Sequence, residues 1–125
     1  RALFDIDGMI VYPGSEIPLL DALELGGYGC ISATANLNTR DIAGVIRLYD
    51  AGDTDAARAL HRKVTRFRKA IEDHGPIPAQ KRMLAISTGD SRWANVRPPL
   101  TSMSETEGAA LAARLADECG DTSVQ

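Results

Sequence analysis

The 125-residue sequence contains no uncharged apolar run approaching the roughly 18 residues of a membrane span, so no membrane association is expected. It has no basic excess either. Its 14 Lys and Arg stand against 17 Asp and Glu for a net charge of −3, which argues against nucleic acid, because phosphate binding calls for a clearly basic balance. Cys30 and Cys119 lie far apart with no CxxC spacing, and both read as reduced thiols of a cytoplasmic protein. His61 and His74 lack companions at metal-ligand spacing, so no metal site is expected. There is no internal repeat and no low-complexity tract, and the opening residues are not expected to be a signal peptide. The chain opens on Arg1-Ala2-Leu3 without an initiator Met, and on that ground it reads as a fragment.

What is present has the balance of an ordinary soluble domain, with 44% hydrophobic and 25% charged residues, enough to bury a core. From Gly8 to about Gly52 the order is strand, helix, strand, helix. Met9 to Tyr12 and Cys30 to Ala33 are apolar without alternation, as in parallel strands buried on both faces. Between them, Pro18 to Leu25 brings Leu19, Leu20 and Leu23 to one side of a helix. Asp41 to Tyr49 does the same with Ile42, Val45, Ile46 and Tyr49. Two consecutive strand-helix units fit an α/β barrel or an open doubly wound sheet.

From Asp53 onward the strand signal disappears. Asp53 can cap a helix with Leu60, Val64, Phe67 and Ile71 in one apolar stripe, stopped by Gly75 and Pro76. Pro78 suits the first turn of a further helix carrying Met83, Leu84 and Ile86 and ending at Gly89. Residues 90 to 103 read as an irregular connection, with Arg97-Pro98-Pro99 extended. Ser104-Glu105-Thr106-Glu107 is a capping box that opens a last helix, with Leu111 and Leu115 inward, before a five-residue frayed tail.

In parallel α/β folds the loops after the carboxyl ends of the strands line the ligand crevice, where small residues let the backbone approach a substrate. Gly14 and the run Ser32-Ala33-Thr34-Ala35-Asn36 occupy such ends. A turn at Gly14 and simple packing of the small residues under a helix would explain the same pattern.

The stretch VYPGSEIPLLDALELGGYGCISATAN resembles the last two strand-helix units of the pyruvate-dependent class I aldolases, the dihydrodipicolinate synthase and N-acetylneuraminate lyase family. Gly14-Ser15-Glu16 takes the place of that family's turn after the seventh strand, and Gly26 through Ser32 that of its GGxGxIS strand. The likeness continues through AGD and AARALH, PIPAQKRML and RPPLTSMSE, in the family's order, and so covers nearly all of the chain.

The resemblance implies the C-terminal portion of a (β/α)8 TIM barrel, residues 1–52, followed by an all-helical domain, residues 53–125. A barrel of this kind takes roughly 250 residues, so about half of the enzyme would be missing. It also implies a lyase in which a strand lysine forms a Schiff base with pyruvate, a tyrosine relays protons, and an aldehyde is joined or released. No cofactor or metal enters, and a homotetramer is expected, with Tyr28 and Leu25 at subunit contacts.

The sequence departs from the family pattern in one decisive way: its lysines are Lys63, Lys69 and Lys81, all in the helical part. The Schiff-base lysine and the catalytic tyrosine are therefore expected before Arg1, with no catalytic residue among these 125 and the chain inactive alone. What carries over is the substrate edge. Gly14 matches a glycine whose backbone borders the substrate, and Ile31 a residue whose main chain lies beside the pyruvate adduct. Glu16 matches an acidic position that in some members faces hydroxyls or an amine of the second substrate. Ser15 stands where the synthases carry an aspartate, and as a bare residue it could cap the next helix. Ile17 and Ala33 replace sugar-contacting polar positions of the sialic acid lyases.

The basic face of Arg58, Arg62, Lys63, Arg66 and Lys69 reads as a solvated helix surface. His61 and His74 read as surface or packing residues, and Trp93 and Tyr28 as packing or interface residues rather than stacking platforms. The alternatives are a sugar-acid aldolase of the N-acetylneuraminate lyase or 2-keto-3-deoxygluconate type, or a non-catalytic assembly or regulatory module on the same fold. The sequence leaves the aldehyde, the direction of reaction and the oligomeric state of this chain open.

Overall fold

The computed structural model of the chain describes residues 2–120, so the expected frayed tail lies outside the described residues. Five α-helices follow one another: α1 Leu19–Glu24, α2 Ala35–Asp50, α3 Thr54–Glu72, α4 Pro76–Thr88 and α5 Glu105–Cys119, with a short 3-10 turn at Ser91–Ala94. No strand lies among the described residues. Residues 9–13 and 27–32 are free of helix and turn, as expected of strands, but one backbone hydrogen bond joins them, from Ile31 N to Pro13 O at 2.9 Å. A ladder needs repeated pairs of such bonds, and a single one does not make it. The expected burial is corrected in the same way. Met9, Ile10 and Tyr12 are exposed, Ile10 by 63%, because nothing among the described residues covers them.

The described residues form two compact units. Residues 2–35 and 39–65 make the first, residues 36–38 and 66–120 the second. In the first unit, Leu19, Leu23, Ile42, Val45 and Val64 form the core, with Leu20, Ile46, Tyr49 and Leu60 packed against it. In the second, Phe67, Ala70, Ile71, Ala79, Met83, Leu111 and Leu115 do so, with Leu37 and Met103. The single apolar stripe of α3 thus serves two cores, Leu60 and Val64 in one and Phe67 and Ile71 in the other.

Local chemistry sets the helix ends. A glycine pair terminates α1: Gly26 at φ 88° lets Gly26 N reach Leu23 O at 3.0 Å and Gly27 N reach Ala22 O at 2.7 Å, a Schellman motif. Helix α2 starts at Ala35, six residues before the expected start, and is interrupted at Asn38 (φ −134°, ψ 37°). The helical spacing of Ile42, Val45 and Ile46 begins only past that break, which is why the first turn escaped the sequence reading. As expected, Asp53 caps α3, its Oδ1 accepting from Ala56 N at 3.1 Å. Helix α4 starts at Pro76, which puts Pro78 in its first turn as expected; Gly75 at φ 81° frees the chain to turn, and Pro76 suits the first helical position. It carries Met83 inward, leaves Ile86 exposed, and ends at left-handed Gly89. Arg97-Pro98-Pro99 is a turn rather than extended, closed by Leu100 N donating to Arg97 O at 3.0 Å with the Pro98–Pro99 bond cis. Helix α5 opens on the expected capping box.

Candidate functional site

The first unit brings together the Gly14 turn and the segment through Ile31. The hydrogen bond from Ile31 N to Pro13 O fixes the two side by side one residue before the turn. Gly14 is exposed, and no atom lies within 4 Å of where a Cβ on it would be. Ile31 is 73% exposed. Gly14 and Ile31 therefore both face outward at this edge.

Ser15 does not cap α1. Its Oγ accepts from Ile17 N at 3.2 Å, closing a local turn, and the helix begins after Pro18 without a side-chain cap. Glu16, two residues past Gly14, points inward and is fully buried, at 0% exposure. Its Oε2 accepts from Ser32 Oγ at 2.5 Å, and its Oε1 accepts from Thr34 Oγ1. Hydrogen bonds to a charged group are among the stronger ones, and they offset the cost of taking a carboxylate out of water. The main-chain oxygen of Glu16 accepts from Leu19 N at 3.1 Å and lies 2.9 Å from His61 Nε2 of α3. A carbonyl can only accept, so His61 carries its proton on Nε2.

Of the four expected edge residues, Gly14 and Ile31 stand exposed and adjacent, Ser15 turns along the loop, and Glu16 is turned in. Ser32 and Thr34 carry no signal in the sequence beyond their small size, and His61 reads there as a surface or packing residue. His61 is half-buried and bonded to main chain. The available signal was its place at the end of AARALH, one of the quoted motifs.

The three lysines are engaged elsewhere or lie on helices. Lys63 Nζ is 2.9 Å from Asp41 Oδ2, Lys69 lies in the last turn of α3, and Lys81 Nζ stands 5.9 Å from the Trp93 ring centre. Arg58 pairs with Glu24 at 3.3 Å. No group of three His, Cys, Asp or Glu side chains able to hold a metal occurs among the described residues, and no described helix is long and apolar enough to cross a membrane.

Comparison with known proteins gives this arrangement a context. The 4-hydroxy-tetrahydrodipicolinate synthase of Thermodesulfovibrio yellowstonii is 34% identical over 107 residues, covering 85% of this chain and 36% of that one. The synthase of Moorella thermoacetica is 32% identical over 109 residues, with the same two coverages of 85% and 36%. The chain thus spans about a third of the length of these curated relatives. Among solved structures, the dihydrodipicolinate synthase of Thermotoga maritima superposes with a TM-score of 0.73 at 27% identity, over 89% of this chain and 37% of that one. The N-acetylneuraminate lyase of Fusobacterium nucleatum shares the fold, with a TM-score of 0.74 at 22% identity, over 87% of this chain and 36% of that one. The sequence profile of the dihydrodipicolinate synthetase family matches residues 5–118, through both the Gly14 turn and the capped last helix, and this chain belongs to that family.

Proposed function

We propose that the chain is the C-terminal part of a pyruvate-dependent class I aldolase, in which residues 1–52 complete a (β/α)8 barrel and residues 53–125 form the helical domain. The observation that supports this reading is the exposed, side-by-side placement of Gly14 and Ile31 on segments joined through Ile31 N and Pro13 O. The exposure of Met9, Ile10 and Tyr12 on the first of these segments accords with it, since neighbouring strands would cover them. Family membership and the pyruvate held by the fold-related Fusobacterium nucleatum lyase point to the same substrate.

In this proposal a lysine from outside these residues adds its amine to the pyruvate carbonyl and loses water to give an imine. Loss of a methyl proton gives the enamine, whose carbon attacks the aldehyde carbonyl; hydrolysis returns the lysine. The lysine does the work of an electron sink, so no cofactor is called for. The main chain at Gly14 and Ile31 borders the pyruvate adduct, and Ser15 belongs to the side where the aldehyde arrives, with Glu16 turned in beneath it. Subunits of the complete enzyme associate as a homotetramer, with Tyr28, 68% exposed, and Leu25 among the contacts.

The test is to incubate the protein from the complete reading frame with pyruvate and, separately, an amino-bearing and a polyhydroxylated aldehyde. Consumption of pyruvate with one of them is expected, and which one sets the substrate class. No consumption with either would overturn the proposal in favour of a non-catalytic module.

A further inference from the structure

We infer that Glu16 and His61 are positioning residues, which together latch the Gly14 turn onto the segment that carries Ile31. The inference rests on the proposed substrate edge and deepens it, by saying what holds that edge in place. Glu16 bonds to three separate pieces of the first unit. Its carboxylate takes the hydroxyls of Ser32 and Thr34, directly after Ile31; its carbonyl takes Leu19 N, at the start of α1, and Nε2 of His61, on α3. Both carboxylate oxygens and both lone-pair directions of the carbonyl are thereby engaged.

A residue needed only to fill the core would be apolar, since burying a carboxylate is costly even when it is well bonded. A carboxylate here does what an apolar side chain cannot. It turns the Ser32 and Thr34 side chains inward and fixes the main chain that leads from Ile31 into α2. His61 reaches the same residue from farther along the chain, 45 positions on, so that the turn is held through both its side chain and its backbone. Gly14, two residues away, is exposed, with no atom within 4 Å of its Cβ position. A displacement of about 1 Å at a substrate edge is enough to cost much of the binding it provides.

The experiment uses protein from the complete reading frame and compares Glu16→Gln, His61→Leu and His61→Gln. Gln at 61 keeps a donor at the reach of Nε2; Leu does not. Hydrogen exchange of peptides covering residues 10–18 and 30–35 should quicken about 5-fold or more in Glu16→Gln and His61→Leu and return toward wild type in His61→Gln, with the peptides of α5 unchanged. KM for pyruvate should rise about 10-fold in the first two variants, by more than any fall in kcat. If Glu16→Gln fails to fold, Ser32→Ala and Thr34→Val each remove one donor and should show the same local quickening. Unchanged exchange at residues 10–18, or quickening spread evenly over the whole chain, would overturn the latch. Exchange reads the latch without substrate, so a wild-type protein that consumes no pyruvate would remove the functional reading and leave this result to stand or fall by itself.

Discussion

Arg82 lays its Cγ and Cδ across Gly108, and its guanidinium Nε and Nη2 both donate to Met103 O, at 2.9 and 2.5 Å. Within the second unit this ties α4 to the segment leading into α5 and leaves no room for a side chain at position 108. Gly108→Ala should gain about 1 kcal/mol of helix propensity yet push the arginine stem aside and weaken charged hydrogen bonds of about 1.5–3 kcal/mol. A net loss of about 0.5–2 kcal/mol is expected on those figures in urea denaturation. A more stable variant would contradict the packing account.

Much of this unit was legible in the sequence, because its signals are local. A capping box, a terminal glycine and a stripe at helical spacing report the chain's own backbone, and α3 and α5 form where those signals lie. The stretches around Met9 to Tyr12 and Cys30 to Ala33 were legible as extended, but strand pairing is a relation between segments. Among the described residues the two have one hydrogen bond between them. The site divides in the same way. Gly14 and Ile31 could be named from motif and position. The inward turn of Glu16 and its bond with His61 depend on a contact across 45 residues that no local pattern reports.

Gly14 separates two reasons for a glycine. Its φ lies outside the left-handed region and its Cβ position is open, so Gly14→Ala should change unfolding free energy by no more than about 0.5 kcal/mol. If the open space is where pyruvate approaches, the same variant should raise KM for pyruvate about 10-fold or more by crowding the ligand. A large loss of stability would show that the backbone, and not the substrate, needs the glycine.

The start of α5 should respond to acid. The Ser104 hydroxyl, and then the Ser104 backbone N–H, hold the Glu107 carboxyl below its ordinary value. A depressed folded-state pKa contributes stability that is present above the unfolded value and lost as pH falls through the folded one. Amide exchange in the first turn of α5 should therefore quicken as pH drops below the usual carboxylate range, and Glu107→Gln should flatten that dependence. The same pH slope in wild type and variant would show that Glu107 is not the group responsible.

The most direct measurement of the central claim is borohydride reduction of the complete protein in the presence of pyruvate, followed by mass mapping of the modified peptide. One pyruvate-derived adduct is expected, on a lysine outside these 125 residues, with Lys63, Lys69 and Lys81 unmodified. No adduct at all, or an adduct on any of those three lysines, would contradict it.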